Sequence, residues 1–116
     1  MARVLSVSYD PALLSSRQLL LESLGCEVVS APDFAQALQC SNHAERFDLL
    51  VLGHSIPWSE RKSLVAAFRA HGAAPVIALN KFGEEPTPGA DLHIDPAPEQ
   101  LLSAISRFIS GKAAIA

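Results

Sequence analysis

The sequence is poor in the features that mark nucleic-acid binders, membrane proteins and disulfide scaffolds. Its 116 residues carry 9 Lys and Arg against 12 Asp and Glu, for a formal charge of -3, with no long run of either sign. The basic residues are scattered from Arg3 to Lys112, which argues against the clustered positive face that a phosphate backbone demands. No apolar run is long enough to cross a bilayer. A strand begins almost at once after Met1-Ala2, so no leader peptide is evident, and a cytoplasmic location is expected. The two cysteines, Cys26 and Cys40, lack the spacing of a disulfide framework, a zinc site or a redox pair. They read as reduced, mostly buried thiols. The 49% of apolar residues is ample for one core, and the length is too small for two domains. The expectation is one domain over 1–116, with about 112–116 a frayed tail.

The most informative stretch is Phe47-Asp48-Leu49-Leu50-Val51-Leu52-Gly53-His54-Ser55-Ile56-Pro57. Four consecutive branched aliphatics suit a strand buried on both faces, at the centre of a parallel sheet. The run stops in loop chemistry at Gly53. Around it, strands are expected over Arg3 to Val7, Cys26 to Ser30, Pro75 to Leu79 and Asp91 to Ile94. Between them lie helical segments. The first is capped by Asp10 with Pro11 at its first position. Its apolar stripe is Leu13, Leu20, Leu21 and Leu24, with Arg17 and Glu22 elsewhere, and Gly25 stops it. The second starts at Ala31-Pro32-Asp33 and fades at Ser41-Asn42. The third is expected to be capped by Ser59 and to reach His71. The last carries Leu101, Leu102, Ile105, Phe108 and Ile109 and should end at Gly111.

Between Asn80 and Gly89 there is no apolar period, and Pro86 and Pro88 interrupt any helix. That segment reads as a loop with at most one turn near Gly83 to Glu85. Strands and helices alternating with short connections give an α/β fold, a three-layer sandwich with right-handed crossovers. The flavodoxin-like order 2-1-3-4-5 fits best, because strands three and four are the most apolar and strand five the least. Its switch point lies between strands one and three. Ser8, Tyr9 and Asp10 would line the crevice from one side and Gly53, His54 and Ser55 from the other. Asn80 and Asp95 would complete the rim.

Several fragments, in order, resemble the bacterial response-regulator receiver domain. Val4-Leu5-Ser6-Val7 with Asp10-Pro11 is similar to its first strand and acidic turn, and Gly25-Cys26-Glu27-Val28-Val29 to its "GYEVV". Phe47 to Leu52 with Ile56-Pro57 resembles the phosphoacceptor strand and the "MP" after it. Pro75 to Leu79 resembles "PVIAL", and Gly89-Ala90-Asp91 resembles "GAD". The resemblance covers about Arg3 to Ile109. It implies the flavodoxin-like fold, with the fourth helix here shortened or missing.

The resemblance also locates the reaction's residues, and they are absent. The phosphoacceptor aspartate falls on Gly53. The acidic pair that holds magnesium falls on Ser8 and Tyr9, which leaves Asp10, a poor site for a hard dication. The switch Thr or Ser falls on Asn80, and the small residue after it on Lys81. The lysine falls on Asp95, or on Pro96 if the register slips by one. Phosphoryl transfer is positioning plus charge neutralisation, so losing all of these together implies that the chemistry is absent. The resemblance thus implies a degenerate receiver: no enzyme, no cofactor, no metal, and a protein partner in signal transduction. A homodimer is possible, though not assumed to use the family's usual face.

His54-Ser55 lacks the flanking glycines and strand-turn-helix context of a nucleophile elbow. His54, His93, Asp10 and Asp95 could converge as zinc ligands, but no spacing demands it. Trp58 reads either as a binding anchor at the mouth of the crevice or as a side chain packed over the start of the third helix. His54, Ser55, Trp58 and Lys81 are therefore candidate crevice or interaction residues. The alternative function is a small-molecule sensor using the crevice at the ends of strands one and three.

Overall fold

The computed structural model describes residues 2–81, 83 and 85–115, with side chains as far as 109. The elements run β1 (Arg3–Val7), α1 (Pro11–Ser23), β2 (Glu27–Ala31), α2 (Phe34–Ser41), a single 3-10 turn (Ala44–Arg46), β3 (Leu49–Leu52), α3 (Trp58–His71), β4 (Val76–Leu79), β5 (Leu92–Ile94) and α4 (Pro98–Ile115). All four strand pairings are parallel and the order is 2-1-3-4-5. This is the expected flavodoxin-like sandwich. No helix separates β4 from β5 among the described residues.

The aliphatic run at β3 explains the layering. Period-2 alternation sends Leu50 and Leu52 to one face and Leu49 and Val51 to the other. On the first face they join Leu5, Val7, Ile56, Leu64, Val65 and Phe68 under α2 and α3. On the second they join Val4, Leu21, Ile77, Leu79, Leu101 and Ile105 under α1 and α4. Each strand residue from Leu49 to Leu52 is almost fully buried. Burying such a side chain is worth about 1.5–3 kcal/mol, so this strand holds both layers.

Several local expectations are corrected. Ser59 does not cap α3; the helix starts at Trp58, with Pro57 at the cap position and no side-chain cap bond. A proline there costs nothing, since its missing N–H would have had no partner within the helix. Gly111 does not stop the last helix, which continues to Ile115 and takes in most of the stretch expected to fray. A glycine inside a helix costs only about 1 kcal/mol relative to alanine. The turn expected near Gly83 to Glu85 involves Glu84, which lies outside the described residues. On α1 the expected stripe holds in part: Leu21 is buried and Leu20 and Leu24 pack against the core, but the buried positions also include Leu14 and Arg17. The burial of Arg17 matters most, because it brings a cation to the end of the sheet, beside Gly53.

Candidate functional site

β1 and β3 lie side by side and end together, Val7 opposite Leu52. The Gly53 amide then donates to the Val7 carbonyl at 2.8 Å, so Gly53 sits at the switch point. It continues the parity of Leu49 and Val51, towards the α1 layer. The space beside it is taken by the Arg17 side chain. A β-carbon added to Gly53 would lie 2.9 Å from Nη1 of Arg17 and 3.0 Å from the Val7 carbonyl oxygen. Arg17 reaches from the second turn of α1 over the end of the sheet, and only 6% of it is exposed. Its Nη2 lies 3.3 Å from Nδ1 of His54. A guanidinium only donates, so this contact needs the neutral imidazole with its proton on Nε2. Nη1 is buried and has no hydrogen-bond partner. Burial lowers the Arg17 pKa from its ordinary value, opposed by the nearby charge of Asp10.

The β1–α1 turn forms one wall. Ser8 is fully buried, and its hydroxyl accepts from the Asp10 amide at 3.3 Å. Asp10 caps α1, with Oδ1 accepting from Ala12 and Leu13. Its carboxylate is thus committed to the helix end, where the exposed amides favour it. Tyr9 points the other way. Its hydroxyl donates to Oε1 of Glu60 on α3 at 2.7 Å. Burial first, then the bond and charge of Glu60, push the Tyr9 pKa well above its ordinary value. A neutral phenol therefore ties the turn to α3.

The far rim is a different kind of structure. Between β4 and β5, where a fourth helix was expected to be shortened or missing, the described residues form a loop. Nε1 of Trp58 donates to the Pro86 carbonyl at 3.1 Å, and Lys62 lies over its ring at 5.6 Å. Trp58 thus ties the loop to the start of α3 while the residue stays 36% exposed. Nη1 of Arg61, also buried, donates to the Thr87 hydroxyl at 3.3 Å. The Thr87 amide donates to Nε2 of His93 at 3.0 Å. Nδ2 of Asn80 donates to the Glu85 carbonyl. Arg69 donates to the Gly89 and Ala74 carbonyls and pairs with Asp91. Gly89 has φ +80°, and a β-carbon there would meet Cγ1 of Val65 at 2.9 Å, so the loop closes on the core through a position only glycine fills well.

The sequence-derived set is thus brought together in part. Ser8, Asp10, Gly53 and His54 surround the switch point. Tyr9 leans to α3. Ser55, Lys81 and Asp95 are exposed, and Asp95 uses Oδ1 to accept from the Ala97 amide. His93 belongs to Thr87, not to a cluster with His54. No group of three or more His, Cys, Asp or Glu among the described residues is placed to hold a metal. Two residues were missed. Arg17 looked like a surface charge beside an apolar stripe, although its place one turn from Leu13, Leu14, Leu20 and Leu21 was the available signal. Thr87 carries no signal between two prolines. Burial raises the pKa of both thiols, Cys26 and Cys40, as inert core cysteines require.

Comparison with known proteins places this geometry. A receiver domain from Methanospirillum hungatei JF-1 superposes with a TM-score of 0.76 at 22% identity, over 100% of this chain and 99% of that one. The chain has the CheY-like receiver fold. Chemotaxis protein CheY4 of Vibrio cholerae matches at TM-score 0.70 and 23% identity, over 92% of this chain and 98% of that one. A sensor histidine kinase receiver domain from Pseudomonas aeruginosa PAO1, solved with magnesium in its active-site cleft, matches at 0.74 and 20% identity, covering 94% and 98%. No family model and no curated protein sequence matches, so the likeness to receivers is one of fold.

Proposed function

We propose that this chain is a phosphorylation-independent receiver-like module that works through protein contact in bacterial signal transduction, in the cytoplasm. It is not an enzyme and takes no metal or cofactor. The observation that carries this reading is Arg17 over Gly53. Where the receiver resemblance puts a nucleophilic carboxylate, this chain has a glycine with a buried cation against it. Where the resemblance puts the metal-holding acids, Ser8 is consumed by a turn and Tyr9 by Glu60. Asp10 is left, and its carboxylate caps a helix. A dication brought here would face the Arg17 charge in a dry site, where like charges repel most strongly. Asn80 and Asp95 replace the switch and lysine positions with groups suited to neither role. Between β4 and β5 the described residues form no helix, and Asn80, Pro86, Thr87 and Gly89 are tied by hydrogen bonds to their surroundings.

Beryllofluoride or acetyl phosphate with magnesium tests the reading by amide NMR and intact mass. The expected result is no mass increase and no saturable shift at Gly53 or Asn80. Saturable shifts at both positions would sink it. The partner is expected to be a protein; affinity capture should recover the same partner with and without phosphodonor.

A further inference from the structure

The sheet is unevenly covered on the α1/α4 side. Ile77 on β4 and Leu92 on β5 are register partners and share a face, yet Ile77 is 4% exposed and Leu92 44%. α4 packs over the middle of the sheet through Leu101 and Ile105 and leaves the β5 edge open. Between them runs a groove of about 420 Å³, floored by Leu49, Ile77, Leu92 and Ile94 and walled by Ala104 and Phe108. That volume is in the range of small-ligand sites. The α4 wall extends from Gln100 to Phe108, about 12 Å at 1.5 Å per residue, so the groove is long as well as apolar. Two charged side chains line it, and they differ. Asp91 is committed, accepting from the Val76 amide and pairing with Arg69. Arg107 is exposed, and its side chain makes no ion pair or hydrogen bond among the described residues. The charge the groove offers a ligand is therefore positive.

We propose that this groove binds a free medium-chain carboxylate, its aliphatic chain lying along α4 and its carboxylate at Arg107. The chain covers Leu92 and fills the aliphatic walls, and each methylene removed from water adds to the affinity. The head group stays at the exposed lip, so neither it nor Arg107 is stripped of water, and the ion pair selects more than it binds. An alcohol of the same length covers the same walls without the pair. An alkylammonium meets Arg107 as a like charge. A second copy of this chain is a poorer occupant. Among the described residues the other exposed large apolar side chains are Leu19 on α1 and Trp58 on α3, and neither lines this face, so it carries no ridge to fill its own groove across a two-fold axis. The site is also distinct from the switch point. Leu49 in its floor opens β3, whereas Gly53 follows the end of that strand. The proposal thus goes beyond the phosphorylation-independent reading and does not depend on it.

The probes are sodium octanoate, 1-octanol and octylammonium chloride, each titrated into the ¹⁵N-labelled protein at low salt, where a surface charge is least screened. Octanoate is expected to give saturable amide shifts centred on Ile77, Leu92, Ala104 and Phe108. 1-Octanol should shift the same residues with about threefold weaker affinity, the scale of an exposed ion pair, and octylammonium should bind more weakly still. Arg107→Gln should bring octanoate to the affinity of the alcohol. Leu92→Glu, at a position already open to water, should abolish octanoate binding and favour octylammonium instead. Sedimentation velocity without ligand should be the same for the native protein and Leu92→Glu. No saturable octanoate shift, shifts centred elsewhere, equal affinity for octanoate and octylammonium, or native octanoate affinity in Leu92→Glu overturns the proposal. So does a dimer of the native protein that Leu92→Glu dissociates, which would give the groove to a second copy.

Discussion

Two arginines, Arg17 and Arg61, are almost equally buried, at 6% and 4% exposure, in regions of opposite character. Arg61 is built into a network. Its Nη1 meets the Thr87 hydroxyl, and Thr87 in turn meets His93. Arg17 stands at the switch point with Nη2 beside His54 and Nη1 packed over Gly53 without a hydrogen bond, and its described side-chain contact is to a neighbour across the switch point rather than to the 80–90 loop. The first pattern is what a protein does to hold a loop in place of a helix. The second leaves a charge buried with few partners, which costs stability. The described contacts of the rim fasten it to α3, whereas the ground between Gly53 and α1 is where the proposed reading is tested.

The largest effect expected from breaking the contrast is at the loop. Gly89→Ala forces a left-handed backbone on a side chain and drives its β-carbon into Val65, so denaturant unfolding should show a loss of about 2 kcal/mol. Thr87→Val removes the hydroxyl acceptor from a buried guanidinium at nearly constant volume. The expected loss is about 1–2 kcal/mol, with Thr87→Ser near native. Arg17→Met should go the other way, gaining about 1 kcal/mol, because it deletes a desolvated charge without orphaning an acceptor of comparable cost. A large loss in Arg17→Met would mean that Arg17 is as structural as Arg61.

The smallest effect concerns Asp91. Its burial raises the pKa, but the Val76 amide and the bond and charge of Arg69 outweigh it and hold the carboxyl below its ordinary value. A depressed acid contributes its stability above the unfolded pKa, about 3.9, and loses it as pH falls through the folded value. Asp91→Asn should therefore flatten the acid limb of the stability profile below about pH 4. The pair is half exposed and screened, so the change is small. An unchanged acid limb would remove Asp91 from the loop's fastening.

The aliphatic runs at Leu49–Leu52 and Val76–Leu79 made the fold legible, because only a doubly covered parallel strand uses four such residues in a row. Asp10-Pro11 was legible for the same kind of reason: a cap is local chemistry. The candidate site was legible only by its gaps. Gly53, Ser8 and Tyr9 could be read as missing acids, but the side chain that fills the space could not. Arg17 comes from α1, 36 residues before Gly53 in the chain, and its burial depends on the absence of a side chain at a distant position. Ser59 and Gly111 misled because cap and stop preferences are worth about 1 kcal/mol, less than the packing that sets where α3 and α4 run.

The contact between Arg17 and Gly53 also couples the two positions. A carboxylate introduced at position 53 would place its β-carbon 2.9 Å from Nη1 of Arg17, inside van der Waals contact, so Arg17 would have to shift and would then pair with it. Shortening Arg17 alone would open a gap over a glycine that offers nothing to react. Neither single change places a free carboxylate at the end of β3. The two positions therefore depend on each other: a side chain at 53 needs Arg17 moved, and the place Arg17 takes needs a glycine at 53.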